Sequence, residues 1–215
     1  MDWNAPYRSV ATGVRGDVLA VLALGAEPMT GREIARRAHA SQQAARTVLD
    51  DLERQGIVVV RAVPPSYLYE INREHVAAAI IEDLVRLREL ALDRIRERVS
   101  TWSPPPVNVT VFGSVARGDA TTTSDLDLLV VRSDTSPSGF TYWDADVPDL
   151  ADAVRRWCGN PAQVLEYSER EVRERSAGRD RLLAGIRREG RTLFGTPLVE
   201  LTVRQHVHAD AAQDR

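Results

Sequence analysis

Two periods of hydrophobic and polar residues follow one another along the first third of this chain. Over residues 12–55 the apolar residues recur every three or four positions, which predicts three helices with one buried face each. Thr30 and Glu33 form a capping-box pattern at the start of the second of these helices. Residues 57–71 then have strand composition on both sides of a Pro-Pro-Ser sequence, which predicts two strands joined by a proline turn. We assign residues 1–75 to one domain.

A long helix is predicted after this domain. Residues 74–99 have apolar positions at helical spacing, with Arg and Glu on the other faces, and such a helix would span about 38 Å. A Ser-Pro-Pro-Pro sequence ends it, so we assign residues 76–103 as a linker helix. Its apolar stripe is either the seam of a homodimer or a face that packs on a neighbouring domain. The stripe consists of Val76, Ile80, Leu84, Leu87, Ala91 and Ile95.

A period of two begins at residues 107–111, where valines alternate with Asn and Thr, and it predicts a strand. Gly113-Ser114 ends this strand and opens a short helix, and a second strand follows two acidic residues, Asp125 and Asp127. Residues two apart on a strand face the same side, so both carboxylates should point in one direction.

This arrangement of a glycine turn and two carboxylates favours phosphate and metal chemistry. Gly113 lets the backbone approach a ligand closely, and the amide groups that open the helix at Ser114 favour an anion. Two like charges about 5–7 Å apart repel by roughly 1–3 kcal/mol at an effective dielectric near 20, and a divalent cation offsets that cost. Mg²⁺ prefers carboxylate oxygens together with substrate phosphates. We therefore expect Asp125 and Asp127 to hold Mg²⁺ on a nucleoside triphosphate. The alternative is a solvent-facing Asp pair after a simple turn.

The predicted fold class is α+β. Helical and strand patterns continue beyond the second strand and predict a mixed sheet flanked by helices over residues 104–195. Residues 196–215 are weakly patterned and are assigned as a C-terminal tail.

Composition excludes several other classes of protein. The chain has 215 residues, a net charge of −3 and 43% hydrophobic residues, which is ordinary for one or two globular domains. All 28 basic residues are Arg, which excludes a Walker A lysine and a Schiff-base lysine. The one cysteine, Cys158, excludes an internal disulfide. No apolar run is long enough for a membrane span and no secretory leader is visible, so we expect a cytoplasmic protein with no membrane partner.

Two short motifs carry a resemblance to a known superfamily. Residues 113–118 read Gly-Ser-Val-Ala-Arg-Gly, and residues 124–128 read Ser-Asp-Leu-Asp-Leu. In this order they resemble the signature of DNA polymerase beta-type nucleotidyltransferases, and the small minimal nucleotidyltransferase domains above all. The resemblance covers roughly residues 105–195. It implies transfer of a nucleoside monophosphate from an NTP, with ATP expected as the nucleotide.

The resemblance also implies roles for individual residues. The nucleotide would be held by Gly113, Ser114, Arg117 and Ser124, and the catalytic metal ligands would be Asp125 and Asp127. The superfamily usually has a third carboxylate on a later strand, but here the best register places Gln163 at that position. Glu166 lies three residues further on and should face the other side of the sheet. Because Gln is not a base and is a weaker metal ligand than a carboxylate, this departure leaves nucleotide binding intact and puts catalysis in question.

Arg117 has two interpretations. It lies one turn into the helix that follows Gly-Ser, where its guanidinium can bind a triphosphate in a bidentate manner. Alternatively, it pairs with Asp119 or Asp125 and holds the loop in shape.

Two further groups of side chains also have two interpretations each. Phe140, Tyr142 and Trp143 either stack on a nucleobase or belong to the core. His206 and His208 are either metal ligands or solvated side chains of the tail.

The N-terminal pattern carries a second resemblance. Residues 30–38 read Thr-Gly-Arg-Glu-Ile-Ala-Arg-Arg-Ala and residues 48–57 read Val-Leu-Asp-Asp-Leu-Glu-Arg-Gln-Gly-Ile. Together with three helices and a hairpin, they resemble the winged helix-turn-helix domains of MarR-type and ArsR-type bacterial regulators. The resemblance implies that the third helix enters the major groove of DNA. The candidate DNA-binding residues are Gln42, Gln43, Arg46, Thr47 and Arg61.

The charge of this domain leaves its partner open. Residues 1–75 contain nine Arg against nine Asp and Glu, whereas a dedicated DNA-binding domain usually has a basic excess. The domain is therefore a DNA-binding module, a module for protein interaction or a purely structural scaffold.

Two functions follow from these observations. The first is an enzyme that transfers NMP from NTP·Mg²⁺ to an unknown hydroxyl, for example on a protein acceptor. Some minimal nucleotidyltransferases are antitoxins that adenylylate a HEPN-type toxin, and the resemblance extends to that case. The second is a DNA-binding transcriptional regulator whose weakened nucleotidyltransferase domain senses nucleotide or mediates dimerisation.

Overall fold

The computed structural model describes residues 1–134 and 143–203. Its backbone divides into two compact units. The first unit comprises Asp2 and residues 4–90, and the second comprises Met1, Trp3 and the chain from Ala91 onward. The structure therefore joins two separately packed domains in one chain.

The first unit contains three helices, a hairpin and a fourth helix. Its three strands form one antiparallel sheet in the order β1-β3-β2, and β2 is joined to β3 by a tight turn. Apolar residues of all three helices and both hairpin strands share one core. This is the winged-helix plan that the sequence predicts. The elements are α1 (Gly13–Leu24), β1 (Met29–Thr30), α2 (Gly31–Arg37), α3 (Gln42–Arg54), β2 (Val58–Val63), β3 (Ser66–Ile71) and α4 (Ala78–Val85).

Two hydroxyl side chains begin the helices of the first unit. Thr30 accepts a hydrogen bond from the backbone N–H of Glu33, and Ser41 caps α3 in the same manner through the N–H of Ala44. The predicted capping box at Thr30 is only half formed. The Glu33 carboxylate accepts hydrogen bonds from Arg36 instead of reaching back, because a charged donor on the next turn is the stronger partner.

The predicted linker helix is interrupted. Instead of one helix over residues 74–99, the structure has α4 and α5 (Leu87–Ser100), separated by Arg86 with φ −93° and ψ 6°. Val76 precedes α4 and Ile80 lies on its exposed face, so these two residues of the predicted stripe are 89% and 69% exposed. The other end of the stripe, with Ile95, is buried in the core of the second unit.

The second unit is built on a four-stranded mixed sheet in the order β6-β5-β4-β7. Strands β5 and β6 are parallel, while β4 is antiparallel to both β5 and β7. The mixed sheet predicted from the sequence is present. Its elements are β4 (Asn108–Phe112), α6 (Gly113–Arg117), β5 (Leu126–Arg132), α7 (Asp146–Cys158), β6 (Ala162–Ser168), α8 (Glu169–Ala177), α9 (Arg181–Glu189), β7 (Arg191–Gly195) and α10 (Leu198–Val203).

Both faces of this sheet are covered. One core contains apolar residues of α5 and α7 against Leu126, Leu128 and Val130 of β5. The other contains residues of α8, α9 and α10 against Leu129 and Val131 of the same strand. Alternate residues of β5 therefore enter two different cores, and this places any polar residue of the strand on a defined face.

The polar residues of β4 are buried as well. Thr110 donates a hydrogen bond to Oδ1 of Asn108 at 2.9 Å, and Nδ2 of Asn108 donates to the carbonyl of Thr196 at 2.8 Å. A central strand covered on both faces has no solvent side, so its polar residues must find partners within the protein.

Apolar residues of both terminal segments are buried, which their sequence patterns do not predict. Trp3 is fully buried in the core of the second unit, although it lies in the segment assigned to the first domain. Leu198 and Leu201 of α10 are buried in the second core, within the segment predicted as a tail. These apolar residues are too few and too far apart to show a helical period, and only the folded sheet supplies their partners.

Among the described residues, every helix is too short or too polar to cross a lipid bilayer.

Candidate functional site

Strand β5 begins beside two carboxylates. Asp125 directly precedes the strand, and Asp127 is paired across the sheet with Phe112 on β4 and with Gln163 on β6. Since Leu126 and its even-numbered neighbours enter the core on the α7 side, Asp127 points to the opposite face. The arrangement agrees with the direction that the sequence predicts for the pair.

Gly113 makes room for this carboxylate. It begins α6 with φ +67°, in the left-handed region that favours glycine. A Cβ atom at this position would lie 2.1 Å from Oδ2 of Asp127 and 3.0 Å from its Cγ. The glycine therefore has two roles: it turns the chain into α6, and it lets the Asp127 carboxylate lie directly against the backbone.

The two carboxylates have no counter-ion in the described part of the chain. Burial raises the pKa of Asp127 above its usual value, the negative charge of Asp125 raises that pKa further, and the charge of Arg117 lowers it. The carboxylates of Asp125 and Asp127 form no ion pair with any described residue. A cation between them would relieve the repulsion and offset the loss of hydration.

The chemistry of these donors fits a divalent metal ion held by two carboxylates. Hard cations such as Mg²⁺ take carboxylate oxygens and complete their shells with water and phosphate. Among residues 1–134 and 143–203, no group of three or more His, Cys, Asp and Glu side chains is close enough to hold a metal. The predicted metal ligands therefore remain the two carboxylates of Asp125 and Asp127.

Gln163 occupies the strand position at which the superfamily resemblance implies a third carboxylate. It is in register with Asp127 in the parallel pair β5–β6, and its Nε2 donates to Oδ2 of Asp125 at 3.5 Å. Glu166 is in register with Val130, whose side chain enters the core on the other face. Glu166 is thus directed away from the Asp pair, and Gln163 supplies a neutral donor to the carboxylates instead of a third negative charge.

Arg117 pairs with Asp119 and not with Asp125. Its Nε and Nη2 donate to the two carboxylate oxygens of Asp119 at 3.1 and 3.4 Å, and its Nη1 lies 3.6 Å from Oε2 of Glu189. These carboxylates raise the pKa of the guanidinium above its usual value, through the hydrogen bonds of Asp119 first. The loop-holding interpretation describes the present contacts, and Arg117 remains half exposed beside the glycine turn.

Ser124 shapes the turn that leads to Asp125. Its Oγ accepts a hydrogen bond from the backbone N–H of Thr121 at 2.9 Å. Ser114 contributes its carbonyl oxygen to the backbone N–H groups of Gly118 and Asp119. The Ser124 hydroxyl and the Ser114 carbonyl therefore stabilise the local backbone, while the Ser124 carbonyl accepts a hydrogen bond from Asn160. The predicted contacts of both serines with a nucleotide stay predictions.

Asn160 is a residue of this region that the sequence analysis missed. It is fully buried and its Nδ2 donates to the carbonyl oxygens of Thr122 and Ser124, at 3.2 and 3.1 Å. The sequence places it between Gly159 and Pro161, which indicates only a turn. Its contact with a loop 36 residues earlier in the chain becomes visible only in the fold.

The third helix of the first unit exposes the side chains predicted to contact DNA. Gln42, Gln43, Arg46 and Thr47 are all exposed on α3. A groove of about 610 Å³ runs between this helix and strand β3 of the hairpin, lined on one side by Gln42, Gln43 and Arg46. Thr47 and Arg61 do not line this groove, and the contacts of all five candidate residues with DNA stay predictions.

Acidic residues share this groove. Asp50 and Glu53 line it together with Tyr67 and Tyr69, and Nε of Arg46 lies 3.9 Å from Oδ2 of Asp50. Burial raises the pKa of Tyr69, and the charge of Asp50 raises it further. The groove thus presents both signs of charge to its ligand.

Arginines outside this groove are also paired. Arg61 forms an ion pair with Glu70 on the neighbouring strand, and Arg54 forms one with Asp51. Of the nine arginines in residues 1–75, Arg32 alone forms no ion pair or hydrogen bond of its side chain with the described residues, and Arg32 lines the groove. The others pair as Arg8–Asp17, Arg15–Asp51, Arg36–Glu33, Arg37–Glu33, Arg46–Asp50 and Arg73–Glu82.

The aromatic cluster divides between the described and the undescribed parts of the chain. Trp143 is buried, its ring centroid lies 5.2 Å from that of Trp102, and its Nε1 donates to the carbonyl of Pro104 at 3.0 Å. It belongs to the core. Phe140 and Tyr142 lie outside the described residues, as do His206 and His208.

Two family models each match one segment of the chain. Residues 92–177 match the family model described as "Nucleotidyltransferase domain", and residues 12–66 match the model described as "MarR family". A solved structure titled "Crystal structure of the toxin-antitoxin with AMP-PNP" is similar over 52% of this chain and 81% of that chain, with 17% identity and a TM-score of 0.37. That likeness is too distant to support a conclusion. None of the curated proteins matches the chain.

Proposed function

We propose that this chain, in which a MarR-family domain precedes a nucleotidyltransferase domain, transfers a nucleoside monophosphate from NTP·Mg²⁺ to a hydroxyl group. One observation carries the proposal. Asp125 directly precedes β5 and Asp127 is the second residue of that strand. Asp127 lies directly against Gly113, and neither carboxylate has a counter-ion among the described residues. Such a pair is costly to the folded protein unless a cation binds to it.

In this proposal each residue of the site has a defined task. Asp125 and Asp127 hold the metal ion, which supplies charge neutralisation of the triphosphate when bound. Gly113 and Ser114 hold the phosphates through their backbone, while the space that a Cβ atom of Gly113 would fill is taken by the Asp127 carboxylate. Arg117 exchanges part of its contact with Asp119 for a phosphate oxygen.

The acceptor that we propose is a hydroxyl on a partner protein, of the HEPN-type toxin class that the sequence resemblance indicates. ATP is the proposed donor. The hydroxyl attacks the α-phosphorus, pyrophosphate leaves, and the hydroxyl proton passes to solvent or to a carboxylate of the pair. Gln163 is neutral and cannot accept this proton, so we expect a slower reaction than a site with three carboxylates would give.

Binding of labelled nucleotides tests the site. ATP, GTP, CTP and UTP would be titrated with and without Mg²⁺ against the wild type, Asp127→Asn and Asp152→Asn. The last variant removes an exposed carboxylate of the same domain, on α7. We expect Mg²⁺-dependent binding in the wild type and the control, and its loss in Asp127→Asn. Equal affinity in all three proteins would reject the site.

Label transfer tests the reaction itself. The wild type would be incubated with Mg²⁺, ATP labelled at the α-phosphorus and an extract of the native host, and the products would be separated on a denaturing gel. A labelled protein band that requires Mg²⁺ and disappears with Asp127→Asn supports transfer. Nucleotide binding without a labelled product favours the second candidate.

The second candidate is a DNA-binding regulator in which the nucleotidyltransferase domain binds nucleotide without transferring it. Two observations favour it: the amide of Gln163 at the third ligand position, and the exposure of Gln42, Gln43, Arg46 and Thr47 on α3. Such a regulator would act as a homodimer on two half-sites. Retention of genomic fragments at low salt would support it, and no retained fragment would reject it.

A further inference from the structure

The loop that carries Asp125 is attached to the turn between α7 and β6. Asn160 in this turn is fully buried. Its Nδ2 donates to the carbonyl oxygen of Thr122 at 3.2 Å and to that of Ser124 at 3.1 Å. Both hydrogen atoms of this amide group are therefore donated to backbone carbonyls in the segment that directly precedes Asp125.

A second contact lies on the other side of Asp125. The backbone N–H of Leu126 donates to the carbonyl of Pro161 at 2.8 Å. The backbone groups directly before and directly after Asp125 are thus both bound to consecutive residues of one turn. The direction of the Asp125 side chain is set by these contacts, since the residue itself lies just outside strand β5.

The remaining polar atom of Asn160 is also used. Its Oδ1 accepts a hydrogen bond from the Met1 amino group at 2.8 Å. A buried amide with every hydrogen-bonding group occupied has one low-energy orientation, because rotation by 180° would exchange donors for an acceptor and leave buried carbonyls unpaired. This makes the side chain a rigid support and not an adaptable filler.

We propose that Asn160 is a positioning residue of the candidate metal site: it fixes the backbone on which Asp125 stands, so that this carboxylate and Asp127 can bind the same cation. The inference rests on the proposed function of the Asp pair. Residues that orient metal ligands through such contacts typically contribute 10–100-fold to metal affinity. A role in folding alone would change stability and leave the affinity of the folded protein as it is.

Asn108 provides a matched control. It is the other fully buried asparagine of the second unit's described residues, and its Nδ2 also donates to a backbone carbonyl, that of Thr196. Its neighbours on β4 and β7 do not include the Asp pair. Loss of its side chain should lower stability to a similar degree without touching the loop before Asp125.

The experiment measures Mn²⁺ binding by electron paramagnetic resonance in the full-length wild type, Asn160→Ala, Asn160→Ser and Asn108→Ala, each checked for folding by its melting temperature. We expect about 10-fold weaker Mn²⁺ binding in Asn160→Ala, an intermediate value in Asn160→Ser, which keeps one donor, and wild-type affinity in Asn108→Ala. If Asn160→Ala does not fold, Asn160→Ser decides. Folded Asn160 variants that bind Mn²⁺ as tightly as the wild type would overturn the proposal.

Hydrogen exchange of the metal-free proteins separates this proposal from the proposed function. In Asn160→Ala the amides of residues 121–127 should exchange faster than in the wild type, while Asn108→Ala should leave that segment unchanged. If the wild type binds no Mn²⁺, the proposed function fails and the exchange data still decide whether Asn160 holds the loop. Unchanged exchange in Asn160→Ala would overturn the positioning role.

Discussion

The two domains of this chain treat their charges in opposite ways. In the MarR-family domain every arginine of residues 1–75 except Arg32 lies within ion-pair distance of a carboxylate. In the nucleotidyltransferase domain Asp125 and Asp127 have no cationic partner among the described residues, and burial together with the neighbouring charge raises the pKa of Asp127. Most arginines of the first domain are therefore neutralised by carboxylates of the same domain, while the carboxylates of Asp125 and Asp127 in the second domain remain without a cationic partner among the described residues.

This difference indicates which of the two domains gives a charged ligand the more favourable binding free energy. A cation at the Asp pair competes with no cationic side chain among the described residues and removes an existing repulsion, so its binding is favoured. A DNA phosphate at the first domain must compete with Glu or Asp for nearly every arginine it meets. Surface ion pairs of this kind are individually weak, typically under about 1 kcal/mol, so they reduce DNA binding without preventing it.

Substitution of Gly113, which lies against the acidic pair, should have the largest effect of the changes considered, on both stability and nucleotide binding. A Cβ atom would meet Oδ2 of Asp127 at 2.1 Å, and the residue has φ +67°. We expect Gly113→Ala to lower the free energy of unfolding by about 3 kcal/mol and to abolish Mg²⁺-dependent nucleotide binding. Chemical denaturation measures the first effect and calorimetry the second.

Gly185 in α9 is the control for this prediction. A Cβ atom there meets nothing within 4 Å, so Gly185→Ala should be neutral or stabilise the helix by up to about 1 kcal/mol. Equal effects of the two substitutions on stability would show that Asp127 does not lie against the glycine.

Arg46 should give the next largest effect, on the DNA side. Its guanidinium is exposed on α3, and its ion pair with Asp50, at 3.9 Å, is the longest among the arginines of residues 1–75, so this contact can be exchanged for one with a guanine. At a specific site Arg46→Ala should weaken binding by about 1–3 kcal/mol, measured by fluorescence anisotropy. The control is Arg54→Ala, because Arg54 pairs with Asp51 away from the groove. A loss with Arg54→Ala as large as with Arg46→Ala would argue against α3 as the reading helix.

The salt dependence of DNA binding sharpens the comparison further. Because most arginines of the domain are paired, the slope of log K against log[salt] should be well below that of proteins with six to ten phosphate contacts. Arg32→Ala should reduce the slope by about 1, and Arg36→Ala by less, since Arg36 is held by Glu33. A steep slope that neither variant changes would contradict the paired state of the surface.

The smallest predicted effect is on the stability of the metal-free protein. A carboxyl whose pKa is raised on folding binds its proton more tightly in the folded state, so the wild type loses stability as the pH rises through the range between its unfolded and folded pKa values. Asp127→Asn removes this loss. Above that range the variant should be more stable than the wild type by about 1 kcal/mol or less, and the difference should vanish below about pH 4.

Urea denaturation at several pH values in EDTA measures this difference. A variant that is less stable than the wild type at neutral pH would mean that the Asp127 carboxylate is already compensated in the metal-free protein.

Local signals in the sequence predict much of this structure correctly. Ser168 and Glu171 form the reciprocal capping box at the start of α8 that their spacing predicts. The glycine turn at Gly113, the strand that begins beside Asp127 and the register of Gln163 were also predictable. Each of these depends on residues within a few positions of one another or on a motif with a fixed spacing.

The remaining features depend on partners distant in the chain. The break at Arg86 follows from two cores that each bury their own set of helical residues, and a single period along the sequence contains no sign of it. The burial of Trp3 and Leu201 and the contacts of Asn160 likewise require the assembled sheet. The sequence could not distinguish the two interpretations of Arg117, because the carboxylate of Asp119 and a phosphate group both accept hydrogen bonds from a guanidinium.

The central claim is that Asp125 and Asp127 bind a metal ion together with a nucleotide. Its most direct test is calorimetric titration of ATP, with Mg²⁺ and with EDTA, into the full-length wild type and into the double variant Asp125→Asn/Asp127→Asn. The account predicts Mg²⁺-dependent binding in the wild type and a loss of about 100-fold or more, roughly 3 kcal/mol, in the double variant. Binding of ATP that is indifferent both to Mg²⁺ and to removal of the two carboxylates would contradict it.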